Sequence, residues 1–98
     1  MNLTSKQRAY LRSLANTEEP ILHAGKGGIS DAMLKQADDA LTARELIKGK
    51  VLETAPGSAR ETAEEIAAAV NAQVVQVVGR TFVLYRKNEK EPRIKLPK

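Results

Sequence analysis

The chain has 98 residues, no cysteine and one histidine, His23, and its formal charge at neutral pH is +4. This length fits one small domain with a modest core. Without cysteine, neither a disulfide framework nor a thiolate metal site is possible, and a single histidine argues against a conventional zinc site. No apolar run approaches the roughly 20 residues that a membrane span requires. The opening MNLTSKQRAY lacks the apolar stretch of a signal peptide, so we expect a cytoplasmic protein.

The charges are segregated along the chain. Residues 1–15 carry three bases and no acid, which gives +3, and residues 80–98 carry seven bases and two acids, which gives +5. The middle is slightly acidic, at −3 for residues 16–47 and −1 for residues 48–79. Basic ends favour an anionic partner such as nucleic acid or a membrane surface, although the same charges could serve solubility alone.

The first third of the chain predicts a helix, a short strand and a glycine loop. Thr4 and Gln7 fit a capping box that opens a helix over residues 6–16. The apolar residues 21–24 predict a strand. The loop that follows, Gly25-Lys26-Gly27-Gly28, combines bare backbone with a cation.

The middle third predicts a second helix, a strand and a third helix. Ser30 is the expected N-cap of the second helix. Residues 44–54 are rich in Leu, Ile and Val and predict a strand, with Gly49 marking a bulge or a close backbone approach. Ser58 and Glu61 form a second capping box, and Asn71 is the expected end of the third helix.

Residues 74–78 and 81–85 predict two strands joined by a two-residue hairpin at Gly79-Arg80. The resulting order, α-β-α-β-α-β-β, predicts an α/β fold with a four-stranded mixed sheet packed with helices. We expect residues 1–87 to form a single domain. Residues 88–98 are charged and contain two prolines, so we expect a basic, mobile C-terminal tail.

Three interpretations of the glycine loop compete. A nucleotide-phosphate loop is disfavoured because the string G-x-x-x-x-G-K-[ST] is absent. The glycines could instead only satisfy the geometry of a tight turn between a strand and a helix. In the third interpretation the loop clamps RNA, because glycine lets phosphates approach the main chain, Lys26 adds a charge, and the next helix offers free N–H groups.

Three ordered segments carry a family resemblance: ILHAGKGGIS, ELIKGKVLE and VVQVVGRTFVLYR. Together they resemble the CRM domain (chloroplast RNA splicing and ribosome maturation), above all its stand-alone bacterial YhbY-like members, from about Leu3 to Lys87. The resemblance implies a fold related to the C-terminal domain of translation initiation factor three. It also implies association with structured RNA, namely ribosomal RNA in precursors of the large subunit. Gly49 departs from the family, which more often has a larger residue there.

The family loop corresponds here to Gly25, Lys26, Gly27 and Gly28, and the family's final strand motif to Leu84, Tyr85 and Arg86. Further candidate RNA contacts are the basic residues Lys6, Arg8, Arg12, Lys48, Lys50, Arg80 and Arg86. Each of these could also be an ordinary exposed or structural charge. Three aromatic residues are too few for base stacking to dominate, so we expect recognition of backbone and shape.

These observations favour a non-enzymatic RNA-binding protein that assists assembly of the large ribosomal subunit. An enzyme is disfavoured because no catalytic constellation can be assembled from these residues. We also expect a monomer that needs no cofactor or metal and has neither a membrane nor a small molecule as its partner. The alternative is a small protein-interaction adaptor without direct RNA contact, in which the charge serves solubility only.

Overall fold

A computed structural model describes residues 3–98 and shows three helices and four strands. In chain order they are α1 (Ser5–Ala15), β1 (Leu22–Ala24), α2 (Asp31–Arg44), β2 (Leu46–Val51), α3 (Ala59–Val70), β3 (Gln73–Val78) and β4 (Thr81–Tyr85). The predicted α/β class and the order α-β-α-β-α-β-β are confirmed. The likeness to translation initiation factor three stays a prediction of the resemblance.

The helix ends follow local sequence signals. The Thr4 hydroxyl accepts a hydrogen bond from the backbone N–H of Gln7, whose side chain accepts one from the N–H of Thr4. Ser58 and Glu61 form the same reciprocal pair at the start of α3. Asn71 ends α3 in the left-handed conformation, with φ of 58°. Because these residues satisfy N–H and C=O groups that a helix leaves free at its ends, the predicted boundaries are close to the observed ones.

The four strands form one mixed sheet in the order β1-β2-β4-β3. Strand β1 runs parallel to β2, while β4 is antiparallel to both β2 and β3. The β3–β4 hairpin turns at Gly79, whose φ of 58° is the positive value predicted for this turn. The two central strands, β2 and β4, therefore form the middle of the fold.

The two faces of the sheet are covered differently. Helices α2 and α3 cover one face, where Leu41, Ile66 and Phe82 belong to the larger core cluster. Helix α1 packs on the opposite face, where Leu11 and Tyr85 belong to a second cluster. Since α1 is short and reaches only one end of its face, the other end of that face remains open to solvent.

Strand β2 is shorter than predicted, because helix α2 continues through Arg44. Glu45 ends that helix with φ of 65°, and its side chain is completely buried. At its other end β2 stops at Val51. The expectation that the strand begins at Arg44 and runs to Thr54 is therefore wrong at both ends. The sequence did not indicate that the Glu45 side chain is buried, because a charged residue is ordinarily exposed.

The C-terminal residues 88–98 lie against the α1 side of the sheet. Ile94 and Leu96 pack against the second core cluster, and the Gln7 side chain donates a hydrogen bond to the carbonyl of Pro97 at 3.0 Å. The sequence did not predict these contacts. The mobility of this segment in solution stays a prediction, which limited proteolysis can test.

Candidate nucleic-acid interface

The glycine loop is a tight turn that follows β1. The N–H of Gly28 donates a hydrogen bond to the carbonyl of Gly25 at 2.9 Å. Gly28 has φ of 69°, a value that L-residues rarely adopt, and an added Cβ there would lie 3.3 Å from Pro56. Geometry therefore explains Gly28, as the structural interpretation of this loop requires.

Lys26 and Gly27 form the exposed tip of the turn. A Cβ built on Gly27 would have no atom within 4 Å, and its φ lies outside the left-handed range. Within residues 3–98, the N–H groups of Lys26 and Gly27 have no acceptor. The fold thus leaves a bare, outward-facing peptide beside a lysine, and protein geometry does not require Gly27 to be glycine.

Acidic groups lie on one side of this loop. A cleft of about 230 Å³ between the loop and the start of α3 is lined in part by Gly28, Glu61 and Glu65. Asp31 lies in the first turn of α2, where Ser30 already accepts a hydrogen bond from the N–H of Met33. Because these carboxylates oppose a phosphate, the helix end contributes less to anion binding than the sequence suggested.

The hydrogen-bonded Ser58–Glu61 pair also affects the acidity of that cleft. Hydrogen bonds from the backbone and side chain of Ser58 lower the pKa of Glu61, since they favour the ionised carboxylate. Glu61 is therefore negative at neutral pH. The carboxylates of Glu61 and Glu65 repel an anion on the α3 side of the loop. An anion would therefore approach the loop from the other side, where the sheet lies.

The open end of the α1-side sheet face carries two lysines. Lys50 pairs in register with His23 on β1 and with Thr81 on β4. Lys48 is two residues earlier on β2 and so lies on the same face, as the sequence predicted. Helices α2 and α3 cover the opposite face of the sheet. The two lysines therefore lie on the face that α1 covers only at one end.

A shallow groove of about 280 Å³ continues this face toward β3. Its lining includes Asn16 at the end of α1, Lys48, Gln76 and Val78. The Lys48 ammonium also lies 3.5 Å from the carbonyl oxygen of Ala15, near the end of α1. Lys48 therefore stabilises the last turn of that helix in addition to lining the groove.

Arg80 lies at the hairpin tip, at the same end of the sheet as the glycine loop. Its carbonyl accepts a hydrogen bond from Val51 at the end of β2, and the next residue, Leu52, donates to Ala24 just before the loop. The Arg80 guanidinium contacts the Glu53 carboxylate at 3.0 Å, with both side chains exposed. An exposed pair of this kind is weak, so the arginine can exchange the carboxylate for a phosphate.

The basic residues of α1 are placed differently from one another. The Arg8 guanidinium donates to the carbonyls of Val74 and Val75, at 2.5 and 3.2 Å, where the pairing of β3 with β4 is irregular. Arg12 is half-buried one helical turn later, and Lys6 is exposed near the start of the helix. Arg8 is therefore engaged with the edge strand, while Lys6 and Arg12 remain candidates.

Arg86 is held by the fold. Its guanidinium contacts the Asp38 carboxylate at 2.6 Å and the carbonyl of Val70 at 2.8 Å, and it also donates to the Thr42 hydroxyl. These contacts join the end of β4 to α2 and α3, on the side away from the open sheet face. The structure thus brings together the glycine loop, Lys48, Lys50 and Arg80, and it separates Arg86 from them.

In the part of the chain that the structure describes, no group of three His, Asp or Glu side chains is placed to hold a metal ion. Among its three helices, none is long and apolar enough to cross a membrane. The feature that stands out is the basic surface around the loop and the open sheet face.

These features define a small α/β domain with a glycine–lysine turn beside an open, basic sheet face. Residues 3–86 match the model of the CRS1 / YhbY (CRM) domain, so the chain belongs to this family. The resemblance proposed from three sequence segments is confirmed.

Two relatives match this chain along nearly their whole length. The chain is 43% identical to "Probable RNA-binding protein YqeI" of Bacillus subtilis strain 168, over 97% of this chain and 99% of the relative. It is 37% identical to a protein of Haemophilus influenzae named "RNA-binding protein", over 98% and 96% of the two chains. The solution structure of the hypothetical protein SAV1595 from Staphylococcus aureus is similar, with 46% identity, a TM-score of 0.80 and coverage of 98% and 100%.

Proposed function

We propose that this chain is a non-enzymatic RNA-binding protein that associates with large-subunit ribosomal RNA precursors and assists their assembly. The names of its relatives support RNA binding. The ribosomal part rests on the resemblance to a family of ribosome-maturation proteins. A monomeric protein that acts in the cytoplasm, with structured RNA as its partner and no cofactor, fits this role.

One observation carries the proposal: among residues 3–98, the two N–H groups of the exposed Lys26–Gly27 peptide have no acceptor, and no side chain stands in front of them. A phosphate can contact such a peptide directly, and the Lys26 ammonium adds a full charge at the same place. Lys50 and Lys48 extend the positive surface along the sheet. Because aromatic side chains are scarce, the protein would hold backbone and shape more than individual bases.

Gly27 provides a sharp test, because Gly27→Ala adds a methyl group that meets no protein atom within 4 Å. We expect unchanged folding but weaker binding of a structured transcript of large-subunit ribosomal RNA, since the methyl group occupies the path of the phosphate. Lys26→Ala should weaken binding about fivefold near physiological salt, the value expected for one lost phosphate contact. Binding that is unaffected by both substitutions and by salt would contradict the proposed clamp.

The adaptor alternative makes a different prediction for the cell. A ribosome-assembly protein should sediment with large-subunit precursors in a sucrose gradient and should leave those fractions after ribonuclease treatment. An adaptor should instead co-purify with one protein, whether or not ribonuclease is added. The glycine-loop variants give the control, because only the RNA-binding role requires them to leave the precursor fractions.

A further inference from the structure

Residues 87–98, here called the strap, lie beyond the end of the family match at Arg86 and pack against the domain. The strap runs across the α1 side of the sheet. Ile94 and Leu96 pack toward the cluster that contains Tyr85, and Pro97 accepts a hydrogen bond from the Gln7 side chain. A charged, proline-containing segment is thus anchored at its far end.

The buried side chain of Glu45 holds the near part of the strap. One of its carboxylate oxygens accepts a hydrogen bond from the N–H of Asn88 at 2.7 Å. The other accepts from the N–H groups of Arg93 and Ile94, at 2.5 and 2.7 Å. Among residues 3–98 no lysine or arginine forms an ion pair with this carboxylate. Because this one buried side chain accepts backbone N–H groups from residue 88 and from residues 93 and 94, Glu45 fixes both ends of the turn between them.

This anchoring turns cations outward. Ile94 and Leu96 are partly buried against the core, whereas Arg93 and Lys95 are exposed. The alternation is that of an extended segment, in which neighbouring side chains point to opposite sides. Two positive charges are therefore displayed at positions that the buried neighbours and Glu45 determine.

A groove of about 490 Å³ is formed jointly by residues of the strap and of the domain. Its basic residues are Lys87, Arg93 and Lys95, with Gln7 and Tyr85 contributing the domain side, and no acidic residue lines it. In residues 3–98 none of the three cations is in a salt bridge. Three unpaired cations among the lining residues favour a polyanion, although Glu89 of the strap and the buried Glu45 also lie near Tyr85.

We propose that the strap is a second phosphate-binding surface for the RNA, and that Glu45 is the positioning residue that holds it in place. This inference rests on the proposed function, because it assumes that RNA is the polyanion. The surface lies at the Tyr85 end of β4, whereas the glycine loop and Arg80 lie beyond the opposite ends of the strands. RNA that follows the α1 side of the protein would be held at two separated places.

The first test removes the displayed charges without touching the core. In Arg93→Gln/Lys95→Gln both altered side chains are exposed, so the fold should be retained. We expect the affinity of the full chain for the large-subunit RNA transcript to fall about tenfold to thirtyfold near physiological salt, and the slope of log K against log salt to shrink by about one to two. The matched control is Lys35→Gln/Arg60→Gln, which removes two exposed charges from α2 and α3.

The second test addresses Glu45. In Glu45→Gln one acceptor oxygen becomes an amide group that cannot accept a hydrogen bond from the strap. We expect faster trypsin cleavage within the strap and an RNA affinity close to that of Arg93→Gln/Lys95→Gln. Lys26→Ala should weaken RNA binding without changing the rate of cleavage, which separates strap position from RNA affinity.

The outcomes distinguish the inference from the proposed function. The strap proposal is overturned if the unaltered chain binds RNA and Arg93→Gln/Lys95→Gln binds it as tightly. It is also overturned if the Lys35→Gln/Arg60→Gln control loses as much affinity as the strap variant. Neither result contradicts the proposed function. If the unaltered chain does not bind RNA, both the strap proposal and the proposed function fail.

Discussion

The ring of Phe82 lies directly over the backbone of Gly49. The two residues are paired in register on β4 and β2, and a Cβ built on Gly49 would lie 2.2 Å from the Phe82 ring. Phe82 is almost completely buried beneath α2 and α3. The glycine therefore makes room for a large aromatic side chain in the centre of the sheet.

Gly49→Ala should destabilise the fold. The added methyl group would force the Phe82 ring or the strand to shift, and overpacking of this kind costs about 1–3 kcal/mol. Urea denaturation followed by circular dichroism measures the change. Gly27→Ala is the matched control, since its methyl group meets open space and should change the free energy of unfolding by less than about 0.5 kcal/mol.

A double substitution tests the cause of this destabilisation. Phe82→Leu lowers stability alone, because it leaves a cavity, but in the Gly49→Ala background the smaller side chain makes room for the methyl group. The double variant should therefore be more stable than the sum of the single effects predicts. Strict additivity would show that the strain at Gly49 has another origin.

Arg86 should be important for stability and not for RNA binding. Arg86→Gln removes the contact with Asp38 and leaves the Val70 carbonyl without its donor, so we expect a loss of about 1–3 kcal/mol in the free energy of unfolding. RNA affinity, measured at a temperature where the variant is folded, should stay within about twofold of the original, well below the loss expected for one phosphate contact. A loss of RNA affinity as large as that caused by Lys26→Ala would show that Arg86 contacts the RNA.

Lys48 and Lys50 should differ although they share one face of β2. Lys50 is exposed, and its substitution by Gln should reduce RNA affinity about fivefold without changing stability. Lys48→Gln should reduce RNA affinity and also weaken the end of α1, because the Lys48 ammonium lies near the Ala15 carbonyl. Salt-dependent binding and thermal denaturation of both variants measure the two effects. Identical stability of the two would show that the Lys48 contact contributes nothing.

The parts of the fold that the sequence predicted depend on contacts between residues that are close together in the chain. The capping boxes of Thr4 with Gln7 and of Ser58 with Glu61 each span three residues, so their pattern is visible in the chain. The contacts that sequence missed join distant positions. Arg8 reaches the carbonyl of Val74, 66 residues away, and no local periodicity indicates this pairing.

The candidate site was predicted in the same uneven way. Lys26, Lys48 and Lys50 are exposed or half-exposed as expected, because loop and strand patterns determine which way they point. Arg86 carries the same charge and was treated alike, yet its partner Asp38 lies 48 positions earlier in the chain. Glu45 was overlooked for the same reason, since its partners in the strap follow more than 40 residues later.

Tyr85 should make stability depend on alkaline pH. Burial, and then the negative charges of Glu45 and Glu89, raise the pKa of Tyr85 above its ordinary value of 10.0. Below about pH 10 the phenol is protonated in both the folded and the unfolded chain, and its contribution to stability is constant. Above that pH the unfolded chain loses the proton first, so the free energy of unfolding falls until the pH passes the folded pKa.

Urea denaturation of the original chain and of Tyr85→Phe should therefore show a stability difference that moves in favour of the phenylalanine variant as the pH rises beyond about 10. A difference that is constant from neutral to alkaline pH would mean that the Tyr85 phenol has the same acidity in the folded and unfolded states.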